Sequence, residues 1–463
     1  MNDNCAVILA AGEGRRMKSS KPKVLCEVLF KPMIDWVTAN AIAGGIDNIC
    51  VVTGHLGDSV RCHLNPSIKT AVQDKLLGTG HAVMQAKDFI KEHGGSGNVL
   101  ILNGDAPLMD SETLKTSLNF HVRNENAVTV ITAKVDNPYG YGRIVRKDDD
   151  TLLKIVEERD ATQDERAINE INSGAYWFNS QALLTALEEI LSSKKENSSK
   201  EYYLTDTIEV ILGFNLKATA FYAKSPNVAL GANDRLQLQQ LNEIARKSVM
   251  DSLLLEGVSI PCADGVIIGP DVTIGKDTTI LPGTIIKGKV NIGENCTIGP
   301  NSLIENTVVG DNTTINTSQC VESVVADNVQ IGPFVRLRPH SNIGSNVKIG
   351  NFVEIKNANI GDETRISHLS YIGDSDLGSD VNVGCGCATV NFNGSTKNRT
   401  VVGNGAFIGC NNSLVAPVSI GDRAYTAAGS TITEDVPADS LALARAKQVI
   451  KKDWVKHKSP YKK

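Results

Sequence analysis

Apolar residues in the distal half of the chain fall on a strict six-residue grid. Isoleucine stands at 268, 274, 280, 286, 292, 298 and 304, and the residues two before each (Val266, Val272, Thr278, Thr284, Val290, Cys296, Ser302) are small or β-branched. A helix repeats its apolar face about every 3.6 residues and a half-buried strand about every 2, so neither yields this period. A solenoid of short parallel strands, turning at each sixth residue, does. The grid resumes at Ile331, Leu337, Ile343, Ile349 and Ile355, then at Val402, Ile408, Leu414, Ile420, Thr426 and Ile432. Glycine often follows the apolar position, as at Gly275, Gly293, Gly350, Gly373 and Gly421, where corners of positive φ are expected. The pattern predicts a hexapeptide-repeat parallel β-helix from Val266 to Thr433.

Breaks in the grid are informative. Ile304 to Val309, Ile355 to Ile360 and Ile372 to Leu377 are steps of five, so a corner is shortened each time. Between Thr389 and Val402 the step is thirteen, and the polar run NFNGSTKNR is expected to bulge from a coil as a loop. Such a loop is either a neutral excursion or a place for function.

The first half carries a different pattern. Cys5–Leu9, Asn48–Val52 and Val99–Leu102 are apolar strand-like runs, with helical spacing between them, as over His81–Glu92. Alternating strands and helices predict an α/β unit with a parallel sheet and ligands at the carboxyl ends of its strands. AAGEG and Asn103-Gly104-Asp105 fall at such ends. The run Asn233–Leu255 has helical periodicity and is expected to connect the halves, giving divisions 1–235, 236–256 and 257–463, with Lys451, Lys452, Lys456, Lys458, Lys462 and Lys463 in a basic tail.

The chain has 463 residues, 40 of them Gly, only 5% aromatics and a formal charge of −5. No global field draws nucleic acid or an acidic membrane, so an anionic substrate needs a local basic pocket. The ten cysteines show no zinc spacing and no C-x-x-C pair, and are expected to be buried reduced thiols. MNDNCAVILAAGEG lacks a basic start and a signal-length apolar run, which with no membrane-length stretch predicts a cytoplasmic protein.

AAGEGRRM contains Gly12-x-Gly14, but Met17 stands where the dinucleotide fingerprint needs glycine, and no P-loop occurs. A backbone-rich loop followed by Arg15, Arg16 and Lys23 suits a triphosphate; alone it could equally be a tight turn. The ordered set LAAGEGRRM, PKVL, QDKLLGTGHA, NGDAPL, YGYGRI, IVEERDA and INSGAY resembles the sugar-nucleotide pyrophosphorylases. Joined to the hexapeptide half, it resembles over nearly its whole length the family of bifunctional N-acetylglucosamine-1-phosphate uridyltransferase/glucosamine-1-phosphate N-acetyltransferases. That resemblance implies a Rossmann-like nucleotidyltransferase domain, a helical linker and a left-handed parallel β-helix.

The resemblance implies attack of a sugar 1-phosphate on the α-phosphorus of UTP, which demands charge neutralisation and in-line positioning. Mg2+ ligands map to Asp105 and Asn233; Pro107 separates Asp105 from the helix expected near Ser111. Arg16 and Lys23 would steady the phosphates, and Leu9, Ala10, Ala11 and Gly12 would bring backbone against the nucleotide. Gln73, Gly78 and Thr79 correspond to uracil contacts, and Gly142, Glu157 and Asn172 to sugar contacts, with Asn103 and Gly104 beside them. Arg15 stands where the family usually has Thr.

In the coils only His340 and His368 occur, fewer than the three His needed for zinc in solenoids like the γ-type carbonic anhydrases. His368, two residues after Ile366 in RISHLSYIGD, is expected to point outward, and a lone outward His can be merely exposed. The resemblance assigns it as general base: the ammonium of glucosamine 1-phosphate must lose a proton before nitrogen attacks acetyl-CoA. Arg338, Lys356, Tyr371 and Asn382 match sugar-phosphate residues; Lys397, on the bulging run, is a further candidate for that phosphate. Without the resemblance, Arg338 and Lys356 read equally as corner salt bridges. Acetyl-CoA positions map to Cys385, Asn391, Phe392, Cys410, Ala428 and Arg445. Cys385, Cys410 and Phe392 replace the family's usual Ala, Ser and Tyr; a Cys410 nucleophile is conceivable, but direct transfer needs no acyl-enzyme. The resemblance also implies a homotrimer. Two other readings remain open: uridylyl transfer alone with the coils as an oligomerisation device, and a non-catalytic sugar-nucleotide sensor.

Overall fold

The computed structural model describes residues 4–147, 151–192 and 201–458. Lys462 and Lys463 of the expected tail lie outside them. The chain divides into two compact units, one reaching Lys247 and the other starting at Ser248.

The first unit is built on a mixed sheet. Its strands lie in the order Ala218–Tyr222, Val128–Lys134, Glu170–Asn179, Asn98–Asn103, Cys5–Ala10, Asn48–Thr53 and Lys69–Val72. All neighbours pair in parallel except at Glu170–Asn179, which runs antiparallel to both flanking strands. The expected all-parallel sheet therefore fails at one strand. The reason is local: Arg143–Arg146 and Leu152–Val156 form an antiparallel pair where a parallel neighbour would need a helical crossover. Helices cover both faces, and two apolar layers (Val7, Val99, Phe178 on one side; Ile8, Leu100, Trp177 on the other) sandwich the sheet. The helix expected over 81–92 is broken. Thr79–Met84 ends before Ala86, which has φ −94° and ψ 12°, and the wider turn Ile90–Gly94 follows; Ala82, Val83, Ala86 and Ile90 all still reach the core.

The second unit is a left-handed parallel β-helix of three faces. Ile268 pairs with Ile286 and Ile286 with Ile304, each 18 residues on, so three hexads close one coil. The isoleucine column and the small residues two before it are buried: Ile292 and Cys296 are 1% exposed and Thr284 0%. Each buried isoleucine contributes about 1.5–3 kcal/mol by leaving water.

The glycines after the apolar column do not carry the positive φ expected of them, apart from Gly299 and Gly332. Three residues past the column, Asp277, Asn295, Asn312, Asn328 and Asn346 adopt it instead, with φ of 56–61°. Asn and Asp tolerate this region because their side chains bond locally. Gly275 is there for close approach: an added Cβ would lie 2.7 Å from the Gly293 backbone of the next coil. The cysteine expectation also needs correction, since Cys62, Cys262, Cys385 and Cys410 are exposed while the other six are buried. The helix Arg235–Leu255 runs from the first unit into the second. Among the described residues, no helix is long and apolar enough to cross a membrane.

Candidate active sites

In the α/β unit two adjoining openings of about 680 and 560 Å³ lie at the strand ends, sharing Leu9, Thr79, Asn103 and Asp105. Leu9, Ala10, Ala11, Gly12, Lys23, Gln73 and Gly78 line the first; Arg16, Gly142, Glu157, Asn172 and Asn233 line the second. Of the residues expected here only Gly104 lines neither. It acts from beneath, donating its N–H to the Leu9 carbonyl at 2.9 Å, where a Cβ would sit 3.0 Å from that oxygen.

The loop geometry follows from its residues. Met17, 1% exposed, anchors the turn where the dinucleotide fingerprint would have glycine. Gly14 has φ +61°, and an added Cβ would lie 2.8 Å from Lys23 Cβ, so only glycine lets Lys23 pack there. Space around Gly12 is open. Lys23 Nζ donates to Asn233 Oδ1 at 3.0 Å and pairs with the Asp105 carboxylate. Asp105 is free for this because Asp110 caps the helix from Ser111, accepting from Thr113 N at 2.7 Å. Across the cleft, Gln73 is buried and donates to the Gly78 carbonyl at 3.1 Å, and Thr79 Oγ1 accepts from Leu204 N at 2.9 Å.

A bulge between Asn172 and Ala175 shapes the second opening. It lets Asn172 donate to Tyr176 Oη at 2.6 Å and leaves the Asn103 side chain over Gly174, whose φ is +76°. Burial, then Asp160 and Asp206, push the Glu157 carboxyl above its ordinary range. Tyr141, which the sequence reading missed, lines the same wall; burial and then Asp105 push its hydroxyl up.

In the β-helix, His368 is exposed at a corner, stacked on Asn351 with Nδ1 3.4 Å from its Oδ1. Arg338 pairs with Glu354 at 2.8 Å and Lys356 with Asp374 at 3.5 Å, the corner salt bridges that were the plainer alternative. Both cations nevertheless share one column on the face leaving the His368 corner: Lys356 is in register with Gly373, and Arg338 N bonds the Ile355 carbonyl. The Tyr371 ring folds over Gly373, its Cζ 2.5 Å from where a Cβ would stand. That overlap, rather than a corner torsion, is why glycine sits at 373. Lys397 comes against the Lys356 side chain, and that contact raises the pKa of Lys356 and lowers that of Lys397. Asn382 is not on this face; it pairs with Arg365 and Phe407 on the strand entering the corner of the next coil.

The bulging run is an ordered hairpin. Phe392 bridges Lys397, and Asn393 Oδ1 accepts from Ser395 N at 2.9 Å and Thr396 N at 2.8 Å. Asp374, missed in the sequence, holds its base, accepting from Asn357 at 2.6 Å and Asn391 at 2.5 Å. Burial opposes ionisation there, yet those bonds and Lys356 keep its carboxyl below the usual range. Arg399, also missed, clamps the other end on Asp376 at 2.7 Å and on the carbonyls of Asn357 and Ser375 at 3.2 and 3.0 Å.

Four of the six acetyl-CoA candidates fall on one edge, while Asn391 and Phe392 belong to the hairpin. Tyr371 pairs with Ala388, Ala388 with Ser413 and Ser413 with Thr431, so the residues three before each (His368, Cys385, Cys410, Ala428) stack along a single corner. Arg445 donates to the Ala428 carbonyl at 2.9 Å, at the end of that column.

Residues 5–224 match the nucleotidyl transferase family, and 271–306, 322–357 and 399–434 match the bacterial transferase hexapeptide (six repeats) family. The fold and its two sites thus define a two-part transferase. The chain is 47% identical to the bifunctional protein GlmU of Acetivibrio thermocellus over 97% of its own length and 96% of that protein's. It is 45% identical to that of Clostridium kluyveri over 98% of each chain, and 47% to that of Staphylococcus epidermidis over 97% and 99%. The chain belongs to the GlmU family of bifunctional enzymes, with nucleotidyl transfer in one half and acetyl transfer in the other.

Proposed function

We propose that the chain makes UDP-N-acetylglucosamine in two steps: acetyl transfer from acetyl-CoA to glucosamine 1-phosphate on the β-helix, then uridylyl transfer from UTP to N-acetylglucosamine 1-phosphate on the α/β unit, releasing pyrophosphate. The observation that carries the reading is the gathering of Arg338, Lys356, Lys397 and the Tyr371 ring on the face beside the exposed His368 corner. An acidic chain needs such a cationic group to hold a sugar phosphate. His368 takes the proton from the ammonium of that sugar, and the freed amine attacks the thioester. Acetyl-CoA lies along the edge of Cys385, Cys410 and Ala428, with Asn391 and Phe392 from the hairpin and Arg445 at its end; Asn382 meets the sugar from the other side of the corner.

In the α/β unit Lys23 and Arg16 neutralise phosphate charge while the sugar phosphate oxygen attacks the α-phosphorus. Leu9, Ala10, Ala11 and Gly12 present backbone to the nucleotide over Gly104, Gln73, Gly78 and Thr79 hold the uracil, and Gly142, Glu157, Asn172 and Asn103 hold the sugar. The Asp105 carboxylate and the Asn233 amide oxygen already converge on one cationic nitrogen, so this donor set of hard oxygens fits Mg2+. When bound, Mg2+ would add charge neutralisation at the triphosphate. We assign residues 1–235 and 257–463 to the two reactions, joined by the linker at 236–256 that the helix Arg235–Leu255 fills almost to its end, in a cytoplasmic homotrimer that binds neither nucleic acid nor membrane.

Two assays on one preparation test the reading: thiol release from acetyl-CoA with glucosamine 1-phosphate, and pyrophosphate release from UTP with N-acetylglucosamine 1-phosphate. His368→Ala should abolish the first and spare the second. Equal loss of both would overturn the assignment of His368, and no thiol release from the unaltered protein would leave uridylyl transfer alone.

A further inference from the structure

Two exposed thiols sit on consecutive coils of the edge proposed to take acetyl-CoA. Cys385 and Cys410 occupy the same corner position, each followed by a residue of positive φ (Gly386 at 77°, Asn411 at 54°). The backbones are in direct contact: a Cβ on Gly384 would lie 2.9 Å from Cys410 Cα, and Asn411 N bonds the Cys385 carbonyl at 2.7 Å. Stacked parallel strands stand about 4.8 Å apart, which falls within the roughly 4.4–6.8 Å between Cα atoms that a disulfide spans. The third thiol of this region, Cys387, is turned inward, donating to the Gly409 carbonyl at 3.0 Å, and burial pushes its proton affinity up. It is therefore inert beside two accessible partners.

We propose that Cys385 and Cys410 form a dithiol switch on acetyl transfer, closed by the disulfide form of coenzyme A. The proposal rests on the reading that acetyl-CoA lies along this edge, which delivers the sulfur of a CoA ligand to these two residues. The Cys385 thiolate attacks one sulfur of CoA disulfide, giving the Cys385–CoA mixed disulfide and one CoA thiolate. The Cys410 thiolate then attacks Cys385 Sγ, giving the Cys385–Cys410 disulfide and a second CoA thiolate. Two electrons pass from the protein thiols to CoA disulfide, and their two protons go to the released thiolates. The closed bridge straddles two coils directly above the His368 coil, where the thioester must lie. Acetyl transfer stops, while uridylyl transfer, on a separate unit without these thiols, continues.

The test treats the full chain with CoA disulfide, maps cysteines by mass spectrometry and assays both reactions before and after. Expected are linked peptides carrying Cys385 and Cys410 with loss of two hydrogens, acetyl transfer down about tenfold or more, unchanged uridylyl transfer and recovery with dithiothreitol. Cys385→Ser and Cys410→Ser should each stop at a single CoA adduct on the remaining thiol. The double variant should keep its own untreated acetyl-transfer rate through the treatment. If reduced enzyme releases no thiol from acetyl-CoA, the acetyl-transfer reading falls and the switch with it. If reduced enzyme is active but treated enzyme stays active, or forms no Cys385–Cys410 link, the switch alone is overturned.

Discussion

Lys23 Nζ and Asn233 Oδ1 meet at 3.0 Å across 210 residues of sequence, and the same ammonium pairs with Asp105. One contact therefore closes the α/β unit around its site, joining the loop after the first strand to the segment just before the long helix. The neighbouring backbone agrees, since Ala232 N bonds the Asp105 carbonyl at 3.3 Å. Lys23 serves as the internal counter-ion of an oxygen pair suited to a divalent cation.

Asp105→Ala should therefore cost uridylyl transfer about 10²–10³-fold, the range for losing one electrostatic stabiliser of a developing charge. Acetyl transfer should continue unchanged and without added Mg2+. The measurement is pyrophosphate release against thiol release on one sample; a parallel fall in both would show that Asp105 holds up the fold rather than the site.

The hexad spacing made the β-helix legible, because burial imposes it on most coils from Ile268 to Ile432, with breaks only at the five- and thirteen-residue steps. The sites were legible only as motifs: Gly12, Lys23 and Asp105 do converge, but nothing in their spacing says that Lys23 bonds Asn233. The antiparallel strand Glu170–Asn179 was hidden, since a buried strand reads alike in either direction. Asp374 and Arg399 were invisible for another reason. Their work depends on which coil stacks on which, and the thirteen-residue step makes that register unreadable from the grid.

Arg399 acts through the hairpin rather than on a substrate. Arg399→Ala removes its bonds to Asp376 and to the carbonyls of Asn357 and Ser375, freeing the segment that carries Asn391, Phe392 and Lys397. Acetyl transfer should show KM for glucosamine 1-phosphate raised about tenfold with a smaller fall in kcat, reflecting about 1.4 kcal/mol of lost uniform binding. Arg399→Lys should recover little, since the fork of contacts needs a guanidinium. A fall confined to kcat would place Arg399 in the chemistry instead.

His121 sets an acid limit on the α/β unit. It is 1% exposed, bonded to Thr129 Oγ1 at 2.8 Å and Asn98 Oδ1 at 3.1 Å, and burial lowers its pKa from 6.5 to about 4. In the fold the imidazole is thus neutral over a range where the unfolded chain protonates it. Its contribution is complete above about pH 6.5 and is lost as pH falls toward 4, on the order of 3 kcal/mol in all. Denaturant midpoints followed by tryptophan fluorescence should drop between pH 7 and 4.5. His121→Gln should start lower and show a shallower slope over that interval. An equal slope in both proteins would assign the acid sensitivity to other groups.

Ile292→Asp tests the column that organises the second unit. Ile292 is 1% exposed and lies in register with Ile274 below and Val309 above. The substitution loses about 1.5–3 kcal/mol of apolar burial and places a carboxylate where no partner can reach it, a further cost of several kcal/mol unless it stays protonated. Coils contact only their neighbours, so one broken layer uncouples those on either side. The β-helix should melt well below the unaltered protein in far-ultraviolet circular dichroism, and acetyl transfer should disappear with it. Ile292→Val, costing about 0.5–1.5 kcal/mol, should leave both nearly intact. If the aspartate protein melted with the unaltered curve, residue 292 would have to face water, and the sixfold grid would not be the core of the prism.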